Sequence, residues 1–513
     1  MFTRSLILAA AAGASLAAAP APALAAPARP NIIVIIADDL GFGDTGAYGS
    51  PQVKTPHIDA LARDGVRFTQ GYVAHPVCAP SRAALMTGRY QTRFGYEFNP
   101  VGRDRTGGVS RDEVFLPQVL KGAGYSTGMV GKWHLGQPSG YHPLDRGFDS
   151  FFGIMTGATA FMTDFQAGDE EITPPGAEAS FGIAEGVRPP PGATEAEKMT
   201  LLRKAAPVYR GREAVEEGAY LTDAFTREAI NFIDATAGRP FFLYLAHAAP
   251  HTPLQAPARY IARNSDIPDK GQRVYAAMVT ALDDGVGRIR AELKARDLEK
   301  NTVIVFLSDN GCAGYIGTAC TNGPLNGFKG LHLEGGVRVP YIISAPGRFR
   351  RGGVEDQVVS SLDIAPTAAA LAGATLPKGT DGENLVPYLS GPKPKGFERR
   401  LFWRSGPNFA VRDGAWKLWS VNRAEPGETE STAAGITPDG VQAKASSQGV
   451  YDMLYNLADD PGESRNLAAA RPEVVARLKA VIAEWDKDNV PAQWTSMRQA
   501  VRRHEGQMLK IYP

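Results

Sequence analysis

Cysteine, an excess of charge of either sign and long apolar runs are all scarce in this 513-residue chain. Lys and Arg total 55 against 54 Asp and Glu, a formal balance of +1. A chain so near neutral does not hold DNA or an anionic bilayer by bulk charge, so no nucleic-acid partner is expected. Beyond the N-terminus no stretch approaches the roughly 20 apolar residues that span a bilayer, so no stable membrane anchor is expected either. No internal repeat is seen. What is present is ordinary: 43% apolar and 21% charged residues exclude global disorder. At roughly 150 residues per domain the length suggests about three domains, although large α/β domains exceed that size.

The N-terminus reads as a targeting segment. A short basic start, Met1 to Arg4, precedes Leu6 to Ala19, a run of 14 residues made of Leu, Ile, Ala, Gly and Ser. Ala23-Leu24-Ala25 then gives a small-x-small cleavage pattern, followed by Pro-rich sequence. Residues 1–25 are therefore expected to be a secretory signal peptide and the protein to be secreted. The Ala- and Pro-rich leader leans towards a bacterial periplasm. Three cysteines then face an oxidising compartment. Cys312 and Cys320 lie eight apart on a Gly-rich stretch and form either a local disulfide or two free thiols. Cys78 is left over, and a lone thiol in a secreted protein needs a reason.

Asn31-Ile-Ile-Val-Ile-Ile36 is continuously apolar, as suits a strand buried on both faces of a parallel sheet, and it ends in Asp38-Asp39. Thr302 to Leu307 repeats the pattern and ends in Ser308-Asp309-Asn310-Gly311. Phe241 to Leu245 leads to Ala246-His247, and Ser126 to Val130 leads to Gly131-Lys132-Trp133-His134. Four apolar strands thus hand polar residues to their C-terminal ends, the edge where open α/β sheets bind ligands. Met278, Leu282, Val286, Ile289 and Leu293 form an amphipathic stripe leading into the Thr302 strand. Ala224 to Ile233 reads as another helix, with Thr222 or Asp223 as its N-cap. The alternation predicts an α/β fold.

Residues 166–215, rich in Pro, Ala and Glu, read as an insertion of loops. Residues 390–396 look like a linker, which sets a catalytic α/β domain at 26–390 and a smaller C-terminal α+β subdomain at 396–513. Within the latter, 423–449 reads as a mobile loop. Val474, Leu478, Val481, Ile482 and Trp485 form one helical stripe.

Asp38, Asp39, Asp309 and Asn310 make a hard oxygen set at two buried strand ends. Unpaired carboxylates there are costly, and a cation relieves that cost. Such a set selects calcium or magnesium over zinc or copper. The alternative is helix-capping or turn carboxylates.

Cys78 lies in His75-Pro-Val-Cys78-Ala-Pro80-Ser-Arg82-Ala-Ala-Leu85-Met-Thr87-Gly88-Arg89. Cys-x-Pro-Ser-Arg followed by Leu-x-Thr-Gly-Arg resembles the signature of type I sulfatases, in which the Cys is oxidised after translation to formylglycine. Gly131-Lys-Trp-His-Leu-Gly136, Ser308 to Gly311, Gly327-Phe-Lys329-Gly330 with Glu334-Gly-Gly-Val-Arg338, and Tyr451-Asp452 through Asn466-Leu467 resemble further blocks of that family, in order. The resemblance leans towards arylsulfatase A and N-acetylgalactosamine-6-sulfatase. It implies an alkaline-phosphatase-like architecture with a mixed, mostly parallel sheet flanked by helices.

The resemblance also implies roles. Asp38, Asp39, Asp309 and Asn310 would hold Ca²⁺ together with formylglycine at position 78, which a formylglycine-generating maturation enzyme would install. Arg82 would brace the formylglycine, Lys132 and Lys329 would hold sulfate oxygens, His134 would be the returning base, and His247 would serve the leaving oxygen. His251 is a substrate contact or a turn histidine. His75 and His332 are supporting groups or ordinary packing. The implied activity is hydrolysis of sulfate monoesters on a sulfated small molecule or glycan, the carbohydrate being fold-level analogy. The chemistry suits the residue types: a thiol would be trapped as a stable ester, whereas an aldehyde hydrate offers two hydroxyls. Two rivals stay open: a phosphomonoester or phosphonate hydrolase on the same fold, and a sulfoglycan-binding protein without turnover.

Overall fold

Asn31–Ala37 forms β1, buried along its whole length, in the computed structural model, which describes residues 29–512 apart from 101–106, 173–189, 191, 237, 392–395 and 432–435. The expected signal peptide and most of the expected linker lie outside the described residues. No helix of the described residues is long and apolar enough to cross a membrane.

The central sheet continues with β2 (Val66–Phe68), β3 (Ser126–Lys132), β4 (Ser150–Ile154), β5 (Val208–Arg210), β6 (Glu213–Val215), β7 (Phe241–Ala246), β8 (Thr302–Ser308), β9 (Tyr341–Ser344) and β10 (Gly353–Glu355). Their order is β10-β2-β9-β8-β1-β7-β3-β4-β5-β6. The middle strands β8, β1, β7, β3 and β4 are all parallel, and antiparallel strands flank them. The sheet is therefore mixed and mostly parallel at its centre. Ala37 aligns with Ser308, Ile36 with Ala246, and Gly131 with Ala246. The four apolar strands read from the sequence consequently end together, and their polar tails emerge at one edge.

Side-chain alternation splits β1 between two cores. Ile32, Val34 and Ile36 pack with Leu85 and Met86 on one face, where α1 (Cys78–Thr87) lies. Ile33 and Ile35 pack on the other face against α2 (Leu221–Ala235) and α3 (Lys270–Ala295). The stripe Met278, Leu282, Val286, Ile289 and Leu293 is buried in that second core. Asp269 caps α3 by accepting the Gln272 N–H at 2.8 Å. The other helix begins earlier than its sequence suggests. Tyr220 is the N-cap of α2, and Asp223 instead accepts the Tyr260 hydroxyl at 2.7 Å and pairs with Arg259.

Two loop expectations need correction. Part of 166–215 is regular: a helix spans Glu195–Ala205 with a capping box between Thr194 and Glu197, and β5–β6 adds a hairpin to the sheet edge. Part of 423–449 is a strand, described below.

The C-terminal region carries an antiparallel sheet of β11 (Arg400–Ser405), β12 (Asn408–Asp413), β13 (Trp416–Arg423), β15 (Val450–Asn456), β17 (Ala500–His504) and β18 (Gln507–Ile511). A separate pair joins β14 (Ile436–Val441) to β16 (Ser496–Arg498). Helix α4 (Pro472–Asp486) lays Leu478 and Ile482 on Val411, Leu418 and Leu454. A buried ion cluster ties this sheet to Tyr72 and to the short helix Glu334–Val337 of the preceding region. Lys417 Nζ lies 2.9 Å from Glu334 and 3.0 Å from Glu463. Glu334 also accepts the Tyr72 hydroxyl at 2.6 Å, and Glu463 accepts the Glu334 N–H at 2.6 Å. Ser405 of β11 sits between His75 and His332, 3.1 Å from a ring nitrogen of each. Both histidines are buried at this junction, and burial pushes each below its ordinary range.

Candidate active site

Cys78 is the first residue of α1 and is buried. The helix N-terminus favours negative charge at this point. Arg82 lies one turn further on, so it shares a face with Cys78. Its Nε donates to Asp309 Oδ2 at 2.9 Å and its Nη1 to the Lys132 carbonyl at 2.9 Å. One guanidinium thus fastens α1 to the ends of β8 and β3. Ligand-type atoms of Cys78, Asp38 and Asp309 all lie within 4.8 Å of one another.

The carboxylates here meet cations of the protein itself. Lys132 Nζ is 2.6 Å from Asp38 Oδ2, and Lys329 Nζ is 2.7 Å from Asp39 Oδ1. Asn310 Nδ2 donates to Asp39 Oδ1 at 2.7 Å. Burial, reinforced by the neighbouring Asp309 charge, pushes the Asp38 carboxyl up to about 7 despite Lys132 and Arg82. Burial also opposes the Asp39 charge, but the Lys329 ammonium group, which also hydrogen-bonds it, holds that carboxyl well below its usual range. Two oxygens are left over: Asp38 Oδ1 and Asn310 Oδ1 are buried and have no hydrogen-bond partner among the described residues. Buried acceptors are rarely left in this state. Both are hard oxygen donors, so the residues present fit a cation such as calcium.

His251 adds to the same reading. Its Nδ1 is 2.7 Å from the Thr252 carbonyl, and its Nε2 is 3.6 Å from Asp39 Oδ2. A carbonyl only accepts, so a neutral ring donates from Nδ1 and turns the Nε2 lone pair towards the carboxylate. Burial keeps the ring neutral, pushing its pKa down to about 3. His247 follows β7, is fully buried, and is likewise pushed down to about 3 by burial. Neither of its ring nitrogens has a hydrogen-bond partner among the described residues.

Backbone strain gathers here too. Asp39 has φ 65° and His134 φ 62°, the left-handed region that non-glycine residues seldom adopt. The Tyr96 hydroxyl donates to the His134 carbonyl at 3.1 Å, and Trp133 Nε1 to the Gly136 carbonyl at 3.0 Å, which holds the turn. Gly157 leaves room for the His134 ring, which an added Cβ would strike.

The folded chain therefore gathers Cys78, Arg82, Asp38, Asp39, Lys132, His251, Asp309, Asn310 and Lys329 into one connected network at the sheet edge. His134 and His247 leave the ends of β3 and β7 at that same edge. Sequence reasoning missed two members. The Asn99 amide lies 3.6 Å from Cys78 Sγ through Nδ2, and its Oδ1 accepts the Ala79 N–H at 3.1 Å. No local pattern marks it. Tyr315 donates to Asp39 Oδ2 at 3.3 Å. It sits in the short loop closed by the Cys312–Cys320 disulfide. A pinned loop just after Asp309-Asn310 was the signal that could have found it.

Comparison with known proteins bears on this site. The Sulfatase family model matches residues 30–374. Arylsulfatase A of Homo sapiens is 36% identical over 494 residues, which cover 93% of this chain and 89% of that protein. N-acetylgalactosamine-6-sulfatase of Mus musculus is 33% identical over 492 residues, covering 91% and 88%. The crystal structure of Ps i-CgsB in complex with k-i-k-neocarrahexaose superposes with a TM-score of 0.75 at 34% identity, covering 91% of this chain and 95% of that one. The phosphonate monoester hydrolase of Agrobacterium radiobacter, at 22% identity and a TM-score of 0.58, shares the fold.

Proposed function

The chain belongs to the sulfatase family and is a sulfuric ester hydrolase, and on that premise we propose that it removes sulfate from a sulfated carbohydrate, using formylglycine derived from Cys78 and a bound Ca²⁺. The observation that carries this reading is the meeting of Cys78, Asp38 and Asp309 within 4.8 Å, beside the unmet oxygens Asp38 Oδ1 and Asn310 Oδ1. The carbohydrate is supported by relatives: one is an N-acetylgalactosamine-6-sulfatase, and another was solved with k-i-k-neocarrahexaose.

Asp38, Asp39, Asp309 and Asn310, with residue 78, would hold the cation, which when bound supplies positive charge beside the sulfate oxygens. A formylglycine hydrate supplies two hydroxyls on one carbon, one to attack sulfur as the substrate alcohol leaves and one whose deprotonation expels sulfate and returns the aldehyde. The remaining roles belong to the chain's own side chains. Arg82 keeps Asp309 and the end of β3 against residue 78. Lys132 and Lys329, which here lie against Asp38 and Asp39, would take sulfate oxygens when a cation met those carboxylates, and so would stabilise the developing charge. His247, kept neutral by burial, serves the leaving oxygen as an N–H hydrogen-bond donor, and His134 accepts a proton from residue 78 in the return step. His251 contacts substrate next to Asp39. Residues 26–390 form the catalytic domain and 396–513 the C-terminal subdomain. The leader directs the chain out of the cytoplasm, to the periplasm in a bacterium, and a maturation enzyme converts Cys78.

The test is a paired kinetic series on one aryl group carrying sulfate or phosphate. Three carboxylates face two lysines, an arginine and a divalent cation, so the site is net positive and binds either anion. Equal ground-state affinity does not lower a chemical barrier. Inorganic phosphate is therefore expected to inhibit competitively, while the sulfate ester turns over far faster than the phosphate ester. Faster turnover of the phosphate ester would move the assignment to a phosphohydrolase.

A further inference from the structure

Asn99 touches residue 78 yet has no part in the chemistry described for Asp38, Arg82, Lys132 and Lys329. Cys78 opens α1, and the N-cap residue Val77 gives that helix no side-chain hydrogen bond. Asn99, half-buried and 21 residues further along the chain, supplies one instead: its Oδ1 accepts the Ala79 N–H at 3.1 Å. That bond fixes which way the amide points, because an oxygen and not an NH2 must face an N–H donor. Nδ2 then lies 3.6 Å from Cys78 Sγ, and Oδ1 lies 3.7 Å from the same sulfur. The segment carrying Asn99 is held on both flanks. From the C-terminal region, Trp494 Nε1 donates to the Phe98 carbonyl at 2.8 Å and Gly406 N to Glu97 Oε2 at 3.0 Å. The Tyr96 hydroxyl, in turn, donates to the His134 carbonyl at 3.1 Å. The Asn99 amide is therefore set against residue 78 by fixed neighbours.

We propose that Asn99 is a further catalytic residue, whose amide N–H holds one oxygen of the formylglycine hydrate at residue 78 in place for the reaction. The Cys78 sulfur marks that place, since the hydrate oxygens are carried by the same Cβ. The Cβ of a hydrate bears two oxygens and one hydrogen, spread over three staggered positions. The position taken by Sγ has the Asn99 NH2 at 3.6 Å and carboxylate oxygens of Asp38 and Asp309 within 4.8 Å. An N–H donor there favours an oxygen over the hydrogen and so disfavours one of the three rotamers. Arg82 is spent on Asp309 and the Lys132 carbonyl. Asn99 is a neutral donor, so it steadies an oxygen whose negative charge grows without adding a charge of its own to the centre. The simpler alternative is that Asn99 only caps α1 in place of Val77. An aspartate at the same position separates the two, because it keeps the acceptor and lacks the donor.

This inference rests on the formylglycine reading, and the experiment keeps the two apart. Wild type, Asn99→Asp and Asn99→Ala are each purified from a host that matures Cys78. The mass of the residue-78 peptide is measured first, and rates on an aryl sulfate are expressed per formylglycine. Both variants are expected to lose about 10²-fold in kcat, the scale of one donor lost from a developing oxyanion, with KM in Asn99→Ala within about threefold of wild type. The urea midpoint is expected to fall only in Asn99→Ala, because an aspartate also serves a helix N-terminus. A kcat loss confined to Asn99→Ala would reduce Asn99 to a cap, and one confined to Asn99→Asp would trace to the added charge. Either pattern would overturn the proposal. A second readout needs no turnover: the carbon-13 resonance of the residue-78 Cβ in protein labelled at cysteine Cβ, identified by its absence from Cys78→Ala protein. It is expected to move in both variants, and a resonance unmoved in Asn99→Ala would overturn the contact. Active wild-type protein whose peptide carries an unmodified cysteine would overturn the formylglycine reading and this inference with it. Matured variants that keep wild-type kcat would overturn the inference alone.

Discussion

The centre around Cys78 and the junction around Lys417 are both clusters of buried carboxylates and cations. In each, burial pushes one acid up to about 7, Asp38 in the first and Glu463 in the second. In each, neighbouring cations hold a second acid low against burial: Asp39 in the first, and Glu334, at about 2, in the second. They differ in how their oxygens are met. At the junction, Tyr72, Lys417, Arg338 and a backbone N–H converge on Glu334 and Glu463, and even Glu463 Oε1, which accepts no hydrogen bond among the described residues, lies 3.0 Å from the Lys417 ammonium. At the centre, Asp38 Oδ1 and Asn310 Oδ1 are left without donors, beside a helix-terminal Cys and an Asp in the left-handed region. A buried charge cluster completed by its own protein holds two parts together. One left incomplete is poised to bind.

The largest expected effects separate the two clusters. Cys78→Ala should lower kcat by at least roughly 10³-fold, the scale for removing a central catalytic group, with the denaturation midpoint close to wild type. Activity close to wild type would remove Cys78 from the mechanism. Lys417→Met should do the reverse. Stripping the shared cation from Glu334 and Glu463 should cost about 3–5 kcal/mol of stability, the range for breaking a buried pair. Urea midpoints read this loss, and an unchanged midpoint would show that the junction is not held by charge.

A smaller effect sharpens the contrast. Ca²⁺ at about 100 times its dissociation constant should stabilise chelator-stripped protein by about 2.7 kcal/mol, and Asp38→Asn should abolish most of that gain. The Asp38 carboxyl is raised to about 7 when no cation balances it, so below that pH a proton must leave before the cation binds. Calcium affinity should therefore fall as pH drops from 7 to 5, and proton release should accompany binding near neutrality. Stabilisation by Zn²⁺ but not by Ca²⁺ would contradict the oxygen-only ligand set.

The sequence made the centre more legible than the junction, for a physical reason. A strand buried on both faces is written as an unbroken apolar run, so β1, β3, β7 and β8 were visible, and so were the polar residues at their ends. The α3 stripe was equally clear, because one helix face meets the core. Short elements were not. β5 and β6 have three residues each, too few to show a period. The Glu195–Ala205 helix buries only Met199 and Leu202, although its Thr194 and Glu197 capping box could have been read. The junction depends on Lys417 and Glu463, 83 and 129 residues from Glu334, and no local pattern announces that meeting. Glu334 to Arg338 was visible as a family block, but its contacts with the C-terminal sheet were not. Asn99 was missed for the same reason, since it reaches Cys78 from 21 residues along the chain, whereas Tyr315 lies on the bridged loop just after Asp309-Asn310 and was open to reading from that bridge.

The central claim is that the incomplete cluster is a catalytic centre built on a modified Cys78. Its most direct test is the mass of the peptide containing residue 78, taken from enzyme with measured sulfatase activity. Conversion of Cys to formylglycine removes about 18 Da, and the account predicts that lighter peptide in proportion to specific activity. Fully active enzyme whose peptide carries an unmodified cysteine would contradict it.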